Sequence, residues 1–324
     1  MLILWSGFIV LILILLLLDL GVFHKKDSII SVKSAMLWTI FWIVLALLFS
    51  VFIYFAYENN WYDIKNVAGT IYSGKDAVIK YITGYVIEKS LSLDNIFVIA
   101  IIFAYFKIPA EYQHRVLFWG ILGALALRGV MILLGTVLIQ SFEWMIYVFG
   151  ALLIYTAAKM MFNHEEGFNP SESRIFRYIK TKYPIAEDYH GHNFFVIING
   201  KKHATIMLLA LALIESADLL FAVDSIPAIF AITVDPFIVF TSNIFAILGL
   251  RSLYFALAAM IRKFYYLKTS LVIILFYVGI KMLISKIIHI SPIISLAIIL
   301  VVISGGIIFS INRTRKLQEN NLDQ

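Results

Sequence analysis

The 324-residue chain contains no cysteine, only six prolines, and few charges: 14% of residues are Asp, Glu, Lys or Arg, against 62% hydrophobic. Without cysteine there is no disulfide framework and no thiolate metal site. A soluble globule carries about 25% charged and about 45–50% apolar residues, so this composition excludes one. It excludes intrinsic disorder on the same grounds. No nucleophile–base arrangement and no phosphate-cradling glycine loop stands out, so neither an enzyme nor a nucleotide-driven pump is expected. The net charge of +6 is read as membrane orientation, and no nucleic-acid partner is expected.

What the chain has in abundance is apolar runs of about 20 residues, the length that crosses a bilayer as a helix. Nine are found, near residues 3–22, 35–57, 81–106, 116–139, 144–161, 205–232, 237–260, 270–288 and 292–311. They predict an all-α polytopic protein, a single transmembrane domain over 1–324 with the lipid bilayer as its first partner. The first run has no basic region before it and is followed by Lys25 and Lys26, which predicts a retained helix rather than a signal peptide. Seventeen Lys and Arg fall in the loops after runs 1, 3, 5 and 7 and at the C-terminus; four (Lys65, Lys75, Lys80 and Lys286) fall on the other side. The positive-inside rule then puts the C-terminus in the cytoplasm and the N-terminus outside, as expected for an inner-membrane protein with an odd number of spans.

The one sizeable polar connection is 162–203. A short helix is expected around Glu172–Lys182, and the basic loop is a candidate dock for a soluble partner. His190 and His192, with Glu187 and Asp188, make a candidate metal-sensing or entry site, although two His at i and i+2 in a polar loop are commonly plain loop residues.

Ten ionisable residues are counted within the spans: Glu88, Asp94, Glu215, Asp218 and Asp224, with Lys89, Arg128, Lys159, Arg251 and Lys281. A charge at the bilayer centre costs about 2.5–3.5 kcal/mol on insertion scales, so ten cannot stand alone. The acids sit on the third and sixth spans only, while the bases are spread mostly over the fourth, fifth, seventh and eighth. This segregation suggests a cation site with basic neighbours, whereas fixed ion pairing would need no segregation. Arg128 and Arg251 would then neutralise or gate the empty site. The alternative is a fixed pair of each with Asp94 or Asp224.

The acids also mark an internal repeat. EKSLSLDNI from Glu88 and DLLFAVDSI from Asp218 share an acid, five residues, Asp, Asn or Ser, then Ile. Each is followed by Leu-Arg (Arg128, Arg251) and then by Lys-Met (Lys159, Lys281), with Arg-to-Lys intervals of 31 and 30 residues. Residues 81–161 and 204–290 therefore read as two three-helix units. Because three is odd, the copies have opposite topology, as in secondary transporters that bind cargo at the midplane.

The candidate ligands are all oxygen: Glu88, Asp94, Asn95, Glu215, Asp218 and Asp224, with Asn243 possible in the surround. Oxygen-only sites suit Mg, Ca or Mn, and four or five carboxylates suit a divalent ion. Spare carboxylates could carry protons and couple the ion to a gradient. Asp224 lies nine residues after Glu215, so a regular helix turns it to the opposite face. A break at Pro227 is expected to re-aim it.

EKSLSLDNIF at Glu88–Phe97, IESADLLFAVDSIPAIFAIT at Ile214–Thr233, SNIFAILGLRSLYF at Ser242–Phe255 and EDYHG at Glu187–Gly191 resemble the TerC family of integral membrane proteins, in its Alx-like branch. The resemblance runs over nearly the whole chain. It implies a nine-helix bacterial inner-membrane protein tied to manganese homeostasis, usually as a Mn(II) exporter, with a historical link to tellurium resistance. The positions matching the family's acidic motifs are Glu88, Asp94, Asn95, Glu215, Asp218 and Asp224. Two other expectations remain: a membrane scaffold for a metal or tellurium stress-response complex, and a protein that supplies metal to exported metalloproteins.

Overall fold

In the computed structural model the described residues are 2–23, 31–64, 66–67, 70–142, 144–162, 173–186, 191, 193–258, 266–288 and 290–322. The chain opens with α1 (Leu2–Phe23) and α2 (Val32–Glu58), followed by a 3-10 turn (Trp61–Asp63) and a small hairpin of β1 (Asn66–Val67) and β2 (Thr70–Ile71). Next come α3 (Gly74–Tyr105), α4 (Ala110–Ser141) and α5 (Met145–Phe162). The polar connection holds α6 (Arg174–Lys182), β3 (Ile185–Ala186), β4 (Phe195–Ile198) and β5 (Lys201–Thr205). The second half is α7 (Ile206–Phe230), α8 (Pro236–Ile247), α9 (Leu250–Ala258), α10 (Leu267–Leu283) and α11 (Pro292–Leu322). The molecule is an all-α polytopic membrane protein. Among the described residues seven segments are long and apolar enough to cross a bilayer: Leu2–Asp19, Val32–Glu58, Ala110–Ser141, Met145–Phe162, Ile206–Phe230, Pro236–Leu257 and Pro292–Arg313. The other two expected spans correspond to α3, which is long but carries several charges, and α10, which has 17 residues.

Local chemistry sets the helix starts. Ser73 caps α3 by accepting from Asp76 N at 3.1 Å, and its hydroxyl donates back to Asp76 Oδ2. Asp235 caps α8 by accepting from Phe237 N and Ile238 N, with Pro236 in the first turn. The same carboxylate accepts from the buried Tyr57 hydroxyl at 2.5 Å, tying the end of α2 to the start of α8. The polar connection forms the expected short helix. It also forms a three-stranded sheet of order β3-β5-β4, closed by a two-residue turn at Asn199–Gly200 with φ of 50° and 73°.

The helix pairing is reciprocal: α3 packs on α8, α4 on α7, and α5 on α10. A two-fold axis between the two three-helix units would pair them in this way.

One expectation is corrected. The sixth span does not break at Pro227, because α7 continues to Phe230. Pro227 forfeits its own bond to the carbonyl of Val223, and the helix runs on through it for three more residues. The break falls instead in the seventh span, between α8 and α9. There Leu248 is extended (φ −56°, ψ 131°) and Gly249 takes φ +81°. Only glycine adopts that φ without cost, and a side chain there would also meet Trp42 at 2.7 Å.

Candidate functional site

The centre of the bundle is organised by Arg128, fully buried midway along α4. An unpaired charge there would be prohibitive, and the guanidinium is satisfied from three other helices. It bonds Glu88 Oε1 of α3. It grips Asp218 of α7 with two donors, Nη2 to Oδ1 at 2.8 Å and Nε to Oδ2 at 3.3 Å. It also donates to Ser225 Oγ at 3.3 Å and to Asn243 Oδ1 of α8 at 3.1 Å. Asn95, two turns along α3 from Glu88, donates to Asp218 Oδ1 at 3.1 Å. Three buried polar atoms of this cluster have no partner: Glu88 Oε2, Asn95 Oδ1 and Asn243 Nδ2. Leaving such atoms unmatched is costly, so their persistence points to a ligand or water.

A cavity of about 20 Å3 reaches Asn95 and Asp218 from the end of the bundle where α4 and α7 begin, between Ile99, Leu117, Ile121, Ile214 and Leu250. It has room for about one water. The opposite side is closed: Ser225 to Phe230, the last turns of α7, are all buried.

Glu215 lies one turn from Asp218 on the cavity side. Its carboxylate packs against Gly123 of α4, in the space a Cβ there would fill. Among the described residues it makes no ion pair or hydrogen bond, and the charge of Asp218 acts on it. Gly123 is thus a determinant that sequence reasoning passed over.

The remaining candidates lie elsewhere. Asp224 stays on the face opposite Glu215, accepts from Thr156 of α5 at 2.8 Å, and feels the charge of Lys159. Arg251 pairs with Asp19 of α1, through Oδ2 at 2.7 Å and the backbone carbonyl at 2.8 Å. Asp19 is an acid within the first run that the sequence count left out, and it makes α1 part of the charged interior. Lys89 donates to the carbonyl of Ala246, at the end of α8 where the helix break frees acceptors. Asp94 lies on α3, with its side chain outside the described residues, as are Glu187, Asp188, His190 and His192. Among the described residues no three acids or histidines converge to hold a metal directly. Arg128 stands between the carboxylates instead.

Comparison with known proteins agrees with this architecture. The chain is 46% identical over 320 residues to an uncharacterized membrane protein, STKORF319, of Myxococcus xanthus, covering 99% of this chain and 95% of that one. It is 43% identical over 309 residues to an uncharacterized membrane protein of Rickettsia bellii, covering 95% and 97%. It is 42% identical over 297 residues to Alx of Escherichia coli K12, described as a candidate membrane-bound redox modulator, covering 91% and 90%. No solved structure matches. The description "Integral membrane protein TerC family" matches residues 73–318, which take in every helix of the site, and the chain belongs to that family.

Proposed function

We propose that the protein is a secondary exporter of a hard divalent cation, Mn(II) above others, exchanged for protons through the acids of α3 and α7. The observation that carries this reading is surplus negative charge. Glu88 and Asp218 share the single guanidinium of Arg128, and Glu215 has no partner among the described residues. Three carboxylates therefore face one base beside a cavity, where a scaffold built on fixed pairs would match each acid. The unpartnered oxygens of Glu88 and Asn95 offer lone pairs to a cation. An all-oxygen donor set favours Mg, Ca or Mn, and the choice of manganese rests on the family resemblance. Ion entry on this reading requires Arg128 to release Asp218, so that cation and guanidinium alternate at one carboxylate.

The cavity opens toward the end that carries α6 and most of the basic loops, which the positive-inside rule assigns to the cytoplasm of an inner membrane. The helix break at Gly249 and the reciprocal packing support alternating access. The redox description of some relatives does not extend to thiol–disulfide exchange by this chain, which has no cysteine.

Manganese uptake into inside-out vesicles is the test. Wild type is expected to accumulate the ion when a pH gradient is imposed, and Glu215→Gln to lose about tenfold or more of that rate, as when carboxylates shaping a metal site are removed. No uptake by folded wild type under any gradient would leave the scaffold reading in place. Gly123→Ala gives a second check. The added methyl takes the place of the Glu215 carboxylate, yet Ala for Gly in a helix favours folding by about 1 kcal/mol. Uptake is expected to fall while the thermal midpoint holds or rises, and undiminished uptake would remove Glu215 from the ion's route.

A further inference from the structure

At the end of the bundle opposite the three-stranded sheet, a cleft of about 350 Å3 opens between the start of α3, the end of α10 and the start of α11. Two lysines line it, Lys80 from α3 and Lys281 from α10. The Lys80 ammonium sits 3.4 Å from the centre of the Tyr72 ring. Lys281 is 8% exposed and donates to Ser295 Oγ at 2.8 Å. The two are near enough for the charge of Lys80 to act on Lys281. Among the described residues neither ammonium is within ion-pair distance of a carboxylate.

The nearby acids are engaged elsewhere. Asp76, at the rim of the cleft, is held in the cap of α3 by Ser73. Asp235 is buried and accepts from Tyr57 and two backbone amides. Their fields reach Lys80.

Like charges turned into one cleft at the membrane boundary are unfavourable unless an anion lies between them. The first turn of α11, a 31-residue helix beginning at Pro292, adds its partial positive charge on the same side. In its lining, Ile71 and Ile288 present exposed apolar surface. A cationic pocket with an apolar rim, at the ends of spanning helices, selects an amphipathic anion. We propose that this cleft holds the phosphate group of an anionic membrane lipid, seated between Lys80 and Lys281, with its acyl chains over the isoleucine rim.

Native mass spectrometry of the full-length protein, offered equal phosphatidylglycerol and phosphatidylcholine of matched chains, tests this. Wild type is expected to retain phosphatidylglycerol about tenfold over phosphatidylcholine. Lys80→Gln and Lys281→Gln should each bring that ratio toward one, and Lys75→Gln, an exposed lysine outside the cleft, should leave it unchanged. The wild-type comparison does not depend on either variant folding, and tryptophan fluorescence reports whether each one does. Equal retention of the two lipids by wild type overturns the proposal. So does a preference that persists in both folded cleft variants. Stabilisation by inorganic phosphate alone, with no lipid retained, overturns the lipid and leaves a soluble anion as the occupant.

Discussion

Replacing Arg128 by Met is expected to cost the fold about 3–5 kcal/mol, the penalty for leaving buried carboxylates without their counter-ion. Glu88 and Asp218 both lean on this guanidinium, and Asn243 and Ser225 would lose their donor as well. Unfolding in mixed micelles can be followed through the six tryptophans, since the chain has no thiol for a dye. The triple variant Arg128→Met, Glu88→Gln, Asp218→Asn should recover most of the loss, because neutral groups of similar shape no longer carry an uncompensated charge. A loss below about 1 kcal/mol, as for an exposed pair, would show that the guanidinium is not the counter-ion.

The second large effect is expected at Gly249. Alanine there must adopt a left-handed conformation, at about 1–2 kcal/mol. Its methyl must also push aside Trp42, whose ring atoms lie 2.7 Å from the Cβ position, at about a further 1–3 kcal/mol. Gly249→Ala should therefore destabilise by about 2–5 kcal/mol in the same unfolding assay. Measured in a Trp42→Ala background, which removes both ring contacts and keeps only the Cβ at 2.8 Å, the packing part should shrink while the backbone part stays. An equal cost in both backgrounds would assign the whole effect to φ.

The site was partly legible from sequence. Glu88, Asn95 and Asp218 were found through the repeat of acidic motifs, and they do meet at the centre. Asp224 does not join them and bonds Thr156 of α5. Its nine-residue spacing from Glu215 places it on the opposite face, where it lies, and the helix runs on through Pro227 without re-aiming it. The actual break needed only Leu-Gly-Leu, which reads as an ordinary apolar run. Asp19 sits near the end of a span and finds its partner 232 residues away, so no local pattern announces the pair. The β4–β5 hairpin had a local signal, Asn-Gly between extended segments, obscured by the charge of the surrounding loop.

The reach of Arg128 has a mechanical meaning. One side chain on α4 fastens α3, α7 and α8, elements drawn from both three-helix units. While every bond holds, the units move as one body, and rocking them apart means dissolving this hub. On the exporter reading, an arriving cation or protons would take over its carboxylates, since leaving them bare is costly in so dry a place. On the exporter reading proposed above, an unloaded carrier of this design would idle instead of slipping, so proton leak without cargo would stay low and the gradient would be drawn down only when metal moves.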